Sequence, residues 1–151
     1  MTEQTLKEYF EDKVSADTLA SDLKGSQVWT GQDTTSVRIT SITDDEVYIV
    51  TRQHLTKLCN DTLAGLLETT DLNTVAFGLI ASDYFHWDYS TKDGEIVADT
   101  LFDWDNPDIN FPLTIDNVRL WKKYLENGEY PFDKKRRKNN QLLTRVLLKT
   151  C

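Results

Sequence analysis

The sequence predicts an α+β fold, a small antiparallel sheet of about three strands packed with roughly four to six helices. Three observations lead there. Apolar residues recur at helical spacing in several separate stretches, from Leu6 to Leu125. Two β-branched runs, Ser36–Ile42 and Val47–Val50, flank an acidic turn. Turn formers such as Gly25, Asn106-Pro107 and Gly128 separate the runs.

Taken in order, Leu6, Tyr9, Phe10 and Val14 form the inner stripe of a first helix. Ser15 reads as the N-cap of a second, carrying Leu19 and Leu23, with Gly25 as its left-handed C′ residue. Ser26–Asp33 reads as loop. Val37 and Ile39 alternate in a first strand, Thr43-Asp44-Asp45-Glu46 turns the chain, and Val47-Tyr48-Ile49-Val50 completes a hairpin. Thr51 caps a helix with Leu55, Leu58, Cys59, Leu63 and Leu66 or Leu67 on one face. Thr69-Thr70-Asp71 breaks it and starts another, faced by Leu72, Val75, Ala76, Leu79, Ile80 and Phe85. Lys92-Asp93-Gly94 suggests a tight turn before a third strand, Ile96–Trp104. A last helix of the main body opens at Thr114–Asn117, presents Val118, Trp121, Tyr124 and Leu125 inward, and closes at Gly128.

Charge divides the chain. Residues 1–132 carry 24 acidic and 10 basic side chains, a net −14, and read as a single acidic domain. Residues 133–151 carry seven basic residues against Asp133, a net +6. There a run from Lys134 to Lys138 precedes Leu142, Leu143, Val146 and Leu147, which have the spacing of a terminal amphipathic helix. No apolar run nears the ~20 residues that span a bilayer. The polar start, Met1-Thr2-Glu3-Gln4, reads against a secretory signal. Cys59 within a helical pattern and Cys151 do not suggest a disulfide framework and fit a reducing compartment, so the protein reads as cytoplasmic.

Several chemistries find no support in the sequence. It contains neither Gly-x-Ser-x-Gly nor a cysteine–histidine signature, and Cys59 reads as a core thiol. With His54 and His86 the only histidines and no Cys-x-x-Cys, no zinc site is expected. Asp103-Trp104-Asp105-Asn106-Pro107-Asp108 opens like a calcium loop but has Asp108 where the glycine belongs and Thr114 where the last acid belongs. No glycine-rich turn cradles a phosphate, so no cofactor is expected. Lys134–Lys138 lacks interleaved aromatics and follows an acidic body, which disfavours nucleic acid as a partner.

One region remains. Between Asp83 and Asp116, acids alternate with aromatic residues, and Lys92 is the only base before Asp108. Aromatic anchors ringed by carboxylates are what a surface needs to grip a basic protein, since rings supply contact area and acids supply steering. The candidate partner-binding residues are Asp83, Tyr84, Trp87, Asp88, Asp93, Glu95, Asp103, Trp104, Asp105 and Asp108. The turn Asp44-Asp45-Glu46 would extend the patch if it lies nearby. The competing reading makes some of these rings core and the acids merely solvated.

Leu6-x-x-Tyr9-Phe10, Val14-Ser15 and Leu19-x-x-Asp22-Leu23 are similar to the opening helices of some bacterial toxin-immunity families. Small size, acidity and a protein-binding face also resemble these immunity partners of contact-dependent inhibition and colicin-type toxins. The resemblance covers residues 1–25 by pattern and the remainder by character, and no binding residue carries over by position. It implies a stoichiometric inhibitor, not an enzyme, that binds a basic nuclease-type toxin tightly and quickly. A phage or plasmid inhibitor mimicking nucleic acid uses the same physics. An enzyme with a site around Asp83, His86 and Asp88 would need those side chains in a deep cleft.

Overall fold

A computed structural model describes residues 1–24, 26–29 and 35–132. Along these residues the elements run α1 (Glu3–Phe10), α2 (Ala16–Leu23), β1 (Gln27–Trp29), β2 (Thr35–Val37), β3 (Tyr48–Ile49), α3 (Arg52–Leu63), α4 (Thr69–Ala81), β4 (Phe85–His86), α5 (Lys92–Asp105) and α6 (Ile115–Asn127). The fold is mixed helix and sheet. Gly25 and the basic segment 133–151, with its expected terminal helix, lie outside the described residues.

The sheet differs from the one expected. Instead of three antiparallel strands, the described residues form two separate two-stranded ribbons. β2 pairs antiparallel with β1, inside the stretch read as loop, with Val28 opposite Ser36. β3 pairs in parallel with β4, placing Tyr48 opposite Phe85 and Ile49 opposite His86. The expected hairpin between Ser36–Ile42 and Val47–Val50 therefore does not form. A parallel pair needs a crossover, here supplied by α3 and α4, and no local pattern announces such a distant partner.

The third expected strand, Ile96–Trp104, is the middle of α5. Its β-branched residues suggest a strand, but Ile96, Val97, Thr100, Leu101 and Trp104 recur with a helical period and all are buried. Thr91 caps the helix by accepting from the Gly94 amide, and Asp93 and Glu95 complement its positive end. The presumed turn at 92–94 is thus the first turn of the helix. Gly94 is required there, because a Cβ would stand 1.7 Å from the Asp88 carbonyl oxygen. α4 ends at Ala81, so Phe85 belongs to β4 and not to the helix.

The other starts and stops follow ordinary capping chemistry. Thr2, Ser15 and Thr114 each accept from the amide three residues on. Gly128 ends α6 in the left-handed region, at φ 77°. One hydrophobic cluster draws side chains from all six helices, including Leu6, Leu19, Leu55, Leu72, Leu101 and Trp121. Each such leucine contributes about 1.5–3 kcal/mol by leaving water. α3 packs chiefly on α6, and α4 on α5. Among the described residues, no helix is long and apolar enough to cross a membrane.

Candidate functional site: the acidic aromatic face around β4

α5 divides the predicted residues by helical geometry. Asp99 and Asp103 are one turn apart and face α6, where Trp121 and Tyr124 are spaced to meet them. Asp99 accepts from the Tyr124 hydroxyl at 2.7 Å, and Asp103 accepts from Trp121 Nε1 at 3.1 Å and from the Tyr130 hydroxyl. Trp104 packs edge-on to Trp121 with ring centroids 6.4 Å apart. Asp103 and Trp104 are fully enclosed, and Tyr84 is buried as well. These three, expected at a partner surface, belong to the interior: Asp103 and Trp104 lie on the face of α5 covered by α6, and Tyr84, just before β4, packs against Tyr48 and Phe85.

Burial pushes the Asp103 carboxyl up to about 6, although its hydrogen bonds from Tyr130 and Trp121 pull the other way. The same desolvation, then the charge of Asp103, pushes the Tyr130 hydroxyl far above its ordinary range. Asp105, half-buried at the end of α5, is raised to about 6 by burial alone. Cys59 is buried and its thiol is pushed up by desolvation, which makes it an unreactive core group.

The remaining predicted acids do not form one patch. The 14 residues of α5 extend about 21 Å, so its two ends cannot serve one anchor. Near the first turn, Asp93 stands 4.0 Å from Arg52, whose guanidinium donates to the Leu125 and Glu126 carbonyls at the end of α6. Glu95 is exposed, and its charge reaches Tyr124 on α6. Asp108 is exposed beyond the opposite end of the helix.

What the fold does gather is the segment 83–89 with β3. Asp83, His86 and Asp88 are exposed, Trp87 is half-buried, and Tyr89 is 44% exposed. Trp87 and Tyr89 lie 6.3 Å apart by ring centroid, and Tyr89 stacks toward Phe102 at 6.4 Å. Leu79, Ile80, Ser82, Phe85, His86, Trp87 and Tyr89 enclose a notch of about 140 Å³. The Trp87 Nε1 is shielded from solvent and has no hydrogen-bond partner among the described residues. His86 Nε2 donates to the Asp83 carbonyl at 2.7 Å. Asp88 is held below the usual carboxylate range by bonds from the Ser90 hydroxyl and amide.

The parallel register adds a second strand to this face. Ile49 lies opposite His86, and Val47 and Ile49 are 58% and 55% exposed. The turn Asp44-Asp45-Glu46, exposed, precedes β3 in the chain. Sequence reasoning missed Tyr89, Ile49 and Val47 as members. Val47 and Tyr89 fall outside the strands, and β3 and β4, at two residues each, are too short to reveal a period.

Of the cationic groups on the described surface, several are already occupied. Lys57 is paired with Asp12, Arg119 with Asp116, Lys122 with Glu126 and Lys13 with Glu11. Among the described residues, no ion pair reaches Asp83 or Asp88. Of Asp83, His86 and Asp88, only His86 lines the notch. Among the described residues, no cluster of His, Cys, Asp and Glu has the arrangement of a metal site. Compared with protein-family models, curated proteins and solved structures, the chain matches none.

Proposed function

We propose that this protein is an acidic binding protein that neutralises a basic protein partner in the cytoplasm by tight stoichiometric contact, as an immunity protein restrains a nuclease-type toxin. The observation that carries this reading is the exposed face of β3 and β4. Trp87 and Tyr89, 6.3 Å apart by ring centroid, and the exposed Val47 and Ile49 offer contact area, and the exposed Asp83 and Asp88 add negative charge. Buried aromatic and aliphatic anchors supply most of an interface's energy, and surrounding acids accelerate encounter with a basic surface.

The notch suits a side chain better than a metabolite. Its volume of about 140 Å³ is well below the ~300–1,000 Å³ of ligand pockets. An arginine or lysine seated there would meet the π faces of Trp87 and Tyr89 with Asp88 nearby. No turnover is part of this proposal: binding alone blocks the partner.

The test is affinity capture from native host cells with tagged protein at low and moderate salt. Wild type is compared with Trp87→Ala/Tyr89→Ala and with Asp83→Asn/Asp88→Asn. A basic protein held by wild type, lost by the aromatic variant and released earlier by salt in the acid variant is the expected result. Equal retention by all three baits, or no retained protein at either salt, refutes the proposal.

A further inference from the structure

The β3–β4 ribbon has an edge that the described fold leaves open. The amides of Tyr48 and Val50 both donate toward β4, to the Tyr84 and His86 carbonyls, each at 2.8 Å. Backbone groups alternate sides along a strand, so the intervening Ile49 N–H and C=O point away from β4. Among the described residues, neither group has a backbone partner. Ile49 itself is 55% exposed.

An open edge is a template for another strand, and folded proteins ordinarily blunt it with a proline, a charge, a bulge or a covering segment. Tyr48-Ile49-Val50 contains neither proline nor charge. Tyr48 and Val50 turn inward, Tyr48 against Phe10 and Phe85 and Val50 into the core. Ile49 turns outward and is aliphatic, as is the exposed Val47. A strand laid on this edge would find main-chain partners at Ile49 and apolar contact on the outer face.

Charge decides which strand fits. Glu46 lies two residues before β3, Asp83 two before β4 and Asp88 two after it, and all three are exposed. Two residues of chain span at most about 7 Å, so each acid acts on the ribbon within a Debye length of about 8 Å. Of the neighbouring cations, Lys7 lies over the Tyr84 ring, and Arg52 donates to the carbonyls that close α6. A second copy of this chain brings the same acids, and residues 1–132 carry a net −14, so pairing between copies is opposed and a basic strand is favoured.

We propose that the basic partner docks by strand addition: an extended segment of alternating basic and aliphatic residues lies along β3, pairs its main chain with Ile49 and sets its aliphatic side chains on Val47 and Ile49. Its basic residues supply the charge that Glu46, Asp83 and Asp88 attract. This deepens the proposed function and rests on it. The probe is a blocked heptapeptide alternating lysine and valine. Its control has proline in place of each valine, which keeps the charge and removes the donors that a strand needs.

Amide hydrogen exchange in the full-length protein is followed residue by residue by NMR. In the free protein the Ile49 amide is expected to exchange faster than those of Tyr48 and Val50. Saturating lysine–valine peptide should slow Ile49 by roughly tenfold or more, and the proline control should not. Ile49→Pro removes the N–H at an edge position that tolerates proline. It should fold and bind the peptide about tenfold more weakly, the scale of one lost main-chain hydrogen bond. An Ile49 amide as slow as its neighbours in the free protein, no slowing by the lysine–valine peptide, or equal slowing by the control overturns the proposal, and none of these needs the variant. Equal affinity of the captured basic partner for wild type and folded Ile49→Pro also overturns it. If Trp87→Ala/Tyr89→Ala loses that partner in the same assay, strand addition fails while the binding reading stands.

Discussion

Two regions of this molecule are built from the same materials and do opposite work. Along α5 and α6, Asp99 and Asp103 meet Tyr124, Trp121 and Tyr130 in the interior. Along segment 83–89, Asp83 and Asp88 accompany Trp87 and Tyr89 at the surface. Carboxylates beside aromatic rings are therefore not a signature of an interface. What separates the two is burial: Asp99 and Asp103 are enclosed with their donors, whereas Asp83 and Asp88 remain exposed to water.

The largest effect that would sharpen the contrast is expected at Trp104. Trp104→Ala empties a fully enclosed site and should cost about 3–5 kcal/mol of unfolding free energy in urea. Trp87→Ala, at a half-buried ring, should cost clearly less. Equal losses would erase the distinction between core and surface.

Asp103→Ala comes next. It strands the Trp121 Nε1 and the Tyr130 hydroxyl, and an unmet buried donor costs about 1–3 kcal/mol. The same residue, with Asp105, gives the protein a pH dependence. Their folded pKa values, raised to about 6, exceed those of the unfolded chain. Their stabilising contribution is thus complete below about pH 4 and lost as the pH rises through about 6. From pH 5 to pH 7 each should cost on the order of 1 kcal/mol. Denaturant titrations at the two pH values should show the loss, and Asp105→Asn should shrink it. A wild-type profile rising over that interval would contradict the burial assigned to these groups.

Legibility in the sequence followed the same division. Helices with one apolar stripe and a local cap, such as α1, α3 and α6, could be read directly, because capping and periodicity act within a few residues. α5 was misread because its β-branched interior mimics a strand, although Asp99 and Asp103 at helical spacing, matched by Trp121 and Tyr124, carried the correct reading. The pairing of β3 with β4 depends on a crossover through two helices and leaves no local trace. Of the predicted site, Asp83, Trp87 and Asp88 stand on the acidic aromatic face, whereas Tyr84, Asp103 and Trp104 are interior. Burial of one ring over another is decided by tertiary packing, which a run of alternating acids and aromatics does not encode.

Smaller effects should come from the surface itself. Gly94→Ala drives a methyl group into the Asp88 carbonyl, so loop 88–91 must shift. A loss of about 1–2 kcal/mol is expected, and weaker partner binding should accompany it because Trp87 and Tyr89 move with the loop. Asp83→Asn and Asp88→Asn should change stability by no more than about 0.5 kcal/mol, measured by thermal denaturation. A large loss in either would place those acids in the structural network and not on a free face.

The most direct measurement is the affinity of the captured basic partner, once purified, for wild type and for Trp87→Ala/Tyr89→Ala, both verified as folded by circular dichroism. The account predicts a loss of roughly a hundredfold, the scale of two interface anchors, with the association rate nearly unchanged because the acids remain. Unchanged affinity in the folded variant would contradict it and remove the β3–β4 face from the contact surface.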